Sequence, residues 1–167
     1  MANDLNSTDP YANVHSENSE TESFIRFVNI TNRAVDIWWV DYDGQHILYD
    51  TIEPKKYYEI RSFVTHPWVF RDSKTGDRFV ALQNRRYVYY PTENSVDYPR
   101  AVLIVSPLLS LKEICKQKCR QEILKNASFL SRHCCELPST LVTELRGSVE
   151  IANIYYEKRT HSESEAQ

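Results

Sequence analysis

The chain changes its hydrophobic period once, near Pro107, and that change constrains the fold more than any other feature. Between Ser23 and Pro107 the sequence is a succession of short β-prone runs broken by turn signals. "SFIRFVNIT" alternates Phe24, Arg26 and Val28 against Ile25, Phe27 and Asn29, the period of a strand with two unlike faces. "AVDIWWVDY" runs into Asp43-Gly44, a dipeptide suited to a hairpin turn. "QHILYDTI", "KYYEIRSFV", "HPWVFRD", the turn "SKTGD", "RFVALQ" and "RRYVYYP" continue the series. Strands recurring at roughly ten-residue intervals, with no helical pattern between them, predict an antiparallel β-sandwich rather than a parallel α/β sheet.

After Pro107 the period becomes helical. Leu111, Cys115, Cys119 and Ile123 recur every fourth residue as one apolar stripe, which Leu108 and Ile114 widen. Lys112, Lys116, Lys118 and Arg120 decorate the other side. Ser110, three residues before Glu113, has the spacing of a capping box and predicts a helix start near Leu111. A second helix is expected from "LPSTLVTEL", with Pro138 in its first turn, and a third from "SVEIANIYYEKR" after a helix-ending Gly147. The fold class is therefore α+β: an N-terminal antiparallel β-sandwich over 23–106, then a small three-helix α domain over 107–167. Residues 1–22 hold five carboxylates, no lysine or arginine and little to bury, and read as a disordered acidic tail. About sixty helical residues with an exposed stripe make a small core, so a partner is expected.

Composition narrows function by exclusion. A net charge of −3 sets up no broad basic field for nucleic acid. No apolar run approaches the length needed to span a membrane and the N-terminus lacks the hydrophobic core of a signal peptide, so cytoplasm or nucleus is the expected location. The three glycines, Gly44, Gly76 and Gly147, are too scattered for a phosphate-cradling loop. Cys115, Cys119, Cys134 and Cys135, even with His133, lack the paired spacing of structural zinc modules, so neither metal nor other cofactor is expected.

The stretch "RSFVTHPWVF", residues 61–70, carries the polar chemistry. In one continuous strand Ser62, Val64, His66 and Trp68 would share a face, placing a hydroxyl and an imidazole beside an indole. Periodicity alone leaves open a satisfied core histidine or a pocket for a ligand hydroxyl. A small Ser/His hydrolase using Ser62 and His66 is a further alternative, although no glycine-framed nucleophile turn is present and nothing ties Asp72 or Asp77 to His66. A β-sandwich protein-interaction module is another.

Three stretches resemble the von Hippel–Lindau tumour suppressor family: "WVDYDG" running into "YDTIEP", "IRSFVTHPWVFRDSKTGD", and "SLKEIC". The last matches that family's Elongin-binding box, and "LPSTLVTEL" resembles its cullin-selecting box. The resemblance runs from about Phe24 through the second expected helix and implies a non-catalytic substrate receptor of a cullin–RING ubiquitin ligase. In that reading the β domain captures the prolyl-hydroxylated alpha subunit of the hypoxia-inducible factor. The α domain binds Elongin C, which brings Elongin B and the cullin scaffold with its RING protein.

Carried over by position, the family's hydroxyproline cage falls on Trp39, Tyr49, Ser62, His66 and Trp68, with Ser62 and His66 reading the hydroxyl. Ile60 and Arg61 fall where the peptide flanks lie. Elongin C contacts fall on Leu108, Leu111, Lys112, Ile114, Cys115, Leu141 and Leu145, and cullin contacts on Leu137 and Pro138. The chain departs from the family pattern at Arg61 (usually histidine), Phe63 (usually tyrosine), Asp50 (usually proline) and Ile114 (commonly arginine).

Overall fold

A computed structural model of the 167-residue chain describes residues 13–126, 128–133 and 135–165. It divides into two compact units, Met1–Ser73 with Arg78–Pro107, and Lys74–Asp77 with Leu108–Gln167.

In the first unit the strands are β1 (Glu22–Asn29), β2 (Val35–Val40), β3 (His46–Ile52), β4 (Tyr57–Phe63), β5 (Trp68–Asp72), β6 (Arg78–Ala81), β7 (Val88–Tyr89) and β8 (Arg100–Val105). They are hydrogen-bonded in the order β3-β2-β5-β6-β8-β1-β4, with β7 pairing with β5. All pairings are antiparallel except β1 with β8, which run parallel. The expected antiparallel sandwich therefore carries one parallel pair. Those two strands lie some seventy residues apart in sequence, far enough for the connection a parallel pair needs.

Alternation in β1 puts Ile25, Phe27 and Asn29 inside. The Phe27 ring meets Trp68 and Phe70 of β5 at 5.3 Å and Tyr89 of β7 at 6.1 Å. Because β1 and β5 are not hydrogen-bonded neighbours, this contact means the sheet folds over its own core. Each large side chain so buried contributes about 1.5–3 kcal/mol. Asn29, fully buried, is satisfied: its amide donates to the carbonyls of Arg33 and Ile52 at 2.7 and 2.8 Å, and its Oδ1 accepts from Thr31. Asp43-Gly44 forms the β2–β3 hairpin as its sequence predicts, with Gly44 at φ 76° and Asp41 Oδ1 accepting from the backbones of Asp43 and Gln45.

The second unit holds α1 (Leu111–Lys125), α2 (Phe129–His133) and α3 (Ser139–Glu165). The expected capping box forms: Ser110 accepts from the Glu113 backbone, and the Glu113 side chain accepts from the Ser110 backbone. That bonding holds the Glu113 carboxyl below its ordinary range. Two details differ from expectation. The second and third expected helices are one continuous α3, because Gly147 stays helical. A glycine inside a helix costs about 1 kcal/mol relative to alanine, which an otherwise helix-favouring segment absorbs. A short α2 precedes it, in residues the sequence pattern leaves unassigned.

Ile123, Leu130 and Leu145 centre the small helical core, packed by Cys119, Phe129, Leu137, Leu141, Val142 and Val149. The turn residues Lys74–Asp77 belong to this unit. Asp77, almost wholly buried, pairs with Arg120, and the Tyr156 hydroxyl donates to the Lys74 carbonyl. Gly76 sits at φ 66°, and a Cβ there would stand 2.8 Å from the ring of the buried Tyr155. Gly76→Ala is therefore expected to destabilise the protein by about 1–3 kcal/mol. A thermal midpoint equal to wild type would show that this turn is not a constraint.

Candidate functional site

The residues 61–70 are not one strand. β4 ends at Phe63, Val64 and Thr65 turn, and β5 begins at Trp68. Pro67 cannot donate to a ladder, and the His66 amide closes the turn by donating to the Phe63 carbonyl at 3.0 Å. Ser62 and Trp68 thus lie on strands that are not hydrogen-bonded neighbours, and the turn brings them together.

Trp68 Nε1–H donates to Ser62 Oγ at 3.0 Å, and Ser62 is 3% exposed. One of the serine's two acceptor positions is therefore filled, while its own proton has no acceptor among the described residues. Trp39 stands opposite Trp68 across the β2–β5 ladder and stacks on the His66 ring at 5.2 Å and 28°. Phe63 closes on the same imidazole at 5.0 Å, and Tyr42 meets it edge-on at 5.6 Å. His66, 8% exposed, is pushed below its ordinary value by burial, partly offset by a hydrogen bond to the Asn18 backbone.

Tyr49 arrives by a different device. The β2–β3 register pairs Ile37 with Asp50 and Trp38 with Leu48, so Tyr49 is the extra residue of a β-bulge. A bulge re-aims its side chain, and the Tyr49 ring lies 5.3 Å from Trp68 while remaining half exposed. A continuous set of contacts therefore links Trp39, His66, Trp68, Ser62 and Tyr49.

Residues 13–21, expected to belong to an unstructured tail, instead cross this cluster as a strap, while residues 1–12 lie outside the described residues. Ser16 is buried; its Oγ donates to the Val40 carbonyl at 2.6 Å and accepts from Trp39 Nε1 at 2.8 Å. Thr65 Oγ1 donates to the Asn18 carbonyl at 2.6 Å and accepts from the Asn18 amide at 3.2 Å. Ser19 Oγ lies 3.3 Å from His66 Nε2 and 2.7 Å from the Tyr42 hydroxyl. Ser16, Ser19 and Tyr42 escape the sequence reading, since polar residues in a polar segment carry no periodic signal. The strap is held by hydroxyls and backbone groups, whereas composition reports only the capacity for apolar burial.

The remaining site residues divide between surface and core. The Ile60 side chain enters the β core, leaving only its backbone for a peptide, while Arg61 faces outward and pairs with Glu22. Both line a shallow cleft of about 160 Å³ with Glu59, Val96 and Pro99. A cleft of about 560 Å³ beside the start of the strap, lined by Val14, Arg85, Arg86, Tyr87 and Tyr90, includes none of the five cage positions. In the helical unit Leu108, Leu111, Ile114, Cys115 and Pro138 are exposed. Leu137, Leu141 and Leu145 pack internally, and Lys112 bonds Glu144 at 3.0 Å. His133 Nδ1 is 3.0 Å from Glu136, and Cys134 lies outside the described residues.

This geometry does not pair Ser62 with His66 as a hydrolase would. Ser62 Oγ bonds an indole, His66 Nε2 faces Ser19 and Tyr42, and Asp72 pairs with Arg33 while Asp77 pairs with Arg120. Fold and site together define a two-part recognition protein, with an aromatic-walled hydroxyl and imidazole on its β unit. Residues 14–95 match the family model described as the VHL beta domain, a span that includes the strap. Protein Vhl of Drosophila melanogaster is 29% identical over 151 residues, covering 84% of this chain and 85% of that protein. The chain matches the VHL family in both comparisons. That match points to a substrate receptor of a VHL-type E3 ubiquitin ligase.

Proposed function

We propose that this chain is the substrate-recognition subunit of a cullin–RING E3 ubiquitin ligase that binds the prolyl-hydroxylated hypoxia-inducible factor alpha subunit. It acts in cytoplasm and nucleus and presents that subunit for ubiquitination and proteasomal degradation. Elongin C docks on the exposed Leu108, Leu111, Ile114 and Cys115 and brings Elongin B; the exposed Pro138 faces the cullin, while Leu137, Leu141 and Leu145 hold the helical unit together beneath these faces.

The observation that carries the reading is the chain of contacts from buried Ser62 through Trp68 and Trp39 to buried His66, with the Tyr49 ring against Trp68. Proline and hydroxyproline have nearly the same shape, so packing alone separates them weakly. Polar groups buried to meet a hydroxyl are left unsatisfied by the analogue that lacks it, at about 1–3 kcal/mol each. Aromatic walls cover the pyrrolidine ring and exclude water. The deciding experiment titrates a hydroxyproline peptide and its proline twin against the Elongin-assembled protein; equal affinities would refute the reading.

The imidazole must be neutral to accept the ligand's proton. Because burial lowers the His66 pKa from 6.5, protonation is delayed to more acid pH than for a solvent-exposed histidine. Selectivity is expected to hold steady from about pH 8 to 6.5 and to fall only below that. A decline already evident between pH 8 and 7 would contradict a burial-lowered histidine.

A further inference from the structure

His66 Nε2, Ser19 Oγ and the Tyr42 hydroxyl form a closed triangle, with 3.3 Å from the ring nitrogen to each oxygen and 2.7 Å between the oxygens. A neutral imidazole has one N–H and one lone pair, so the role Nε2 takes in this triangle fixes the opposite role on Nδ1. Resting on the hydroxyproline reading above, we propose that Ser19 and Tyr42 are positioning residues of the site. They hold His66 in the Nε2–H tautomer, so that Nδ1 offers its lone pair to the ligand's hydroxyl proton while Ser62 donates to the ligand's oxygen.

Hydrogen-bond counting supports this assignment. Ser62 Oγ accepts from Trp68 Nε1, and its own proton has no acceptor among the described residues, so donation to a bound hydroxyl gives that buried proton its partner. A ligand hydroxyl that accepts from Ser62 keeps its own proton, and that proton needs an acceptor. An imidazole protonated at Nδ1 would offer a second donor instead, leaving the ligand proton without a partner. With the proton on Nε2, the triangle closes without conflict: Nε2–H donates to one hydroxyl, and that hydroxyl donates to the other. The last proton points to water, since both Ser19 and Tyr42 are exposed. The strap thereby supplies two serines to two cage residues, Ser16 to Trp39 and Ser19 to His66. Recognition of the hydroxyl extends beyond the five positions of the cage.

The test uses the full chain labelled with ¹⁵N at histidine. Long-range ¹H–¹⁵N spectra of the ligand-free protein at neutral pH separate an N–H nitrogen from a lone-pair nitrogen. Wild type is expected to show one tautomer with Nε2 protonated; Ser19→Ala with Tyr42→Phe is expected to show a mixture. Both substitutions are at exposed positions, so the fold is retained. The double variant should lose about tenfold of the hydroxyproline-to-proline affinity ratio, the scale of one hydrogen bond to a buried polar group, with proline-peptide affinity unchanged. Ser19→Thr, which keeps the hydroxyl, should restore the ratio. A lone pair on Nε2 in wild type, or an unchanged tautomer and ratio in the double variant, would overturn the proposal. The ligand-free spectrum decides the tautomer however the peptides bind, whereas equal affinity of wild type for both peptides overturns the hydroxyproline reading itself.

Discussion

His66→Ala is expected to reduce the preference for a hydroxyproline peptide over its proline twin from about 10⁴-fold to roughly 10- to 100-fold. Two buried polar groups meet the ligand hydroxyl, and each left unpaired by proline costs about 1–3 kcal/mol. Removing the imidazole erases one penalty, so the residual preference is that of Ser62 alone. The proline peptide is relieved of that penalty while the hydroxyproline peptide loses a hydrogen bond, and Trp39, Tyr49 and Trp68 still enclose either ring. The two affinities should therefore converge, read by calorimetric titration of both peptides. Ser62→Ala offers an independent check with a known complication, since it strips Trp68 Nε1 of its acceptor and is expected to lower stability as well. His66→Ala carries no such burden, because the ring lies at the edge of the core cluster among Trp39, Tyr42 and Phe63. A folded His66→Ala protein that keeps the wild-type ratio would remove the histidine from the reader. A variant that fails to fold would make it a core residue instead.

The features legible in the sequence are those set by local pattern. The change of period near Pro107 separates strands from helices because side-chain direction repeats every two residues in one and every 3.6 in the other. Ser110 with Glu113 marks a helix start, and Asp43-Gly44 a hairpin, because each motif satisfies its own backbone within a few residues. Features that depend on another part of the chain are not legible in this way. The bulge at Tyr49 is a property of the register between two strands, and the parallel pairing of β1 with β8 joins segments far apart in sequence. Gly147 reads as a stop, yet glycine ends a helix only where the backbone turns left-handed, and identity alone does not decide that. Thr65, Ser16 and Ser19 fasten the strap through hydroxyl contacts that hydropathy cannot register. Family resemblance, not pattern, points to the cage residues. Periodicity places Ser62, His66 and Trp68 on one strand face, whereas in the structure a turn separates Ser62 from Trp68.

The helical stripe shows the same limit and supplies the second large expectation. Leu111, Cys115, Cys119 and Ile123 share a helix face, but that face divides along its length. Cys119 and Ile123 pack into the helical core, whereas Leu111 is 76% exposed and Leu108 86%. With Ile114 and Cys115 also exposed, the first turns of α1 present a contiguous apolar surface of the kind that marks a protein-binding face. Leu111→Asp is therefore expected to abolish Elongin C co-purification without lowering the melting temperature. At an exposed position the fold should shift by no more than about 0.5 kcal/mol, and a carboxylate at the first helical residue is favoured by the helix dipole. In the complex, the same change removes about 1.5–3 kcal/mol of leucine burial and forces an unpaired charge into an apolar pocket, so affinity should fall by roughly 100-fold or more. Leu145→Asp provides the contrast: its side chain is fully buried, and that variant should lose the helical unit together with binding. If Leu111→Asp retained Elongin C while Leu145→Asp unfolded, α1 would serve the internal packing of this chain and the docking face would have to lie elsewhere.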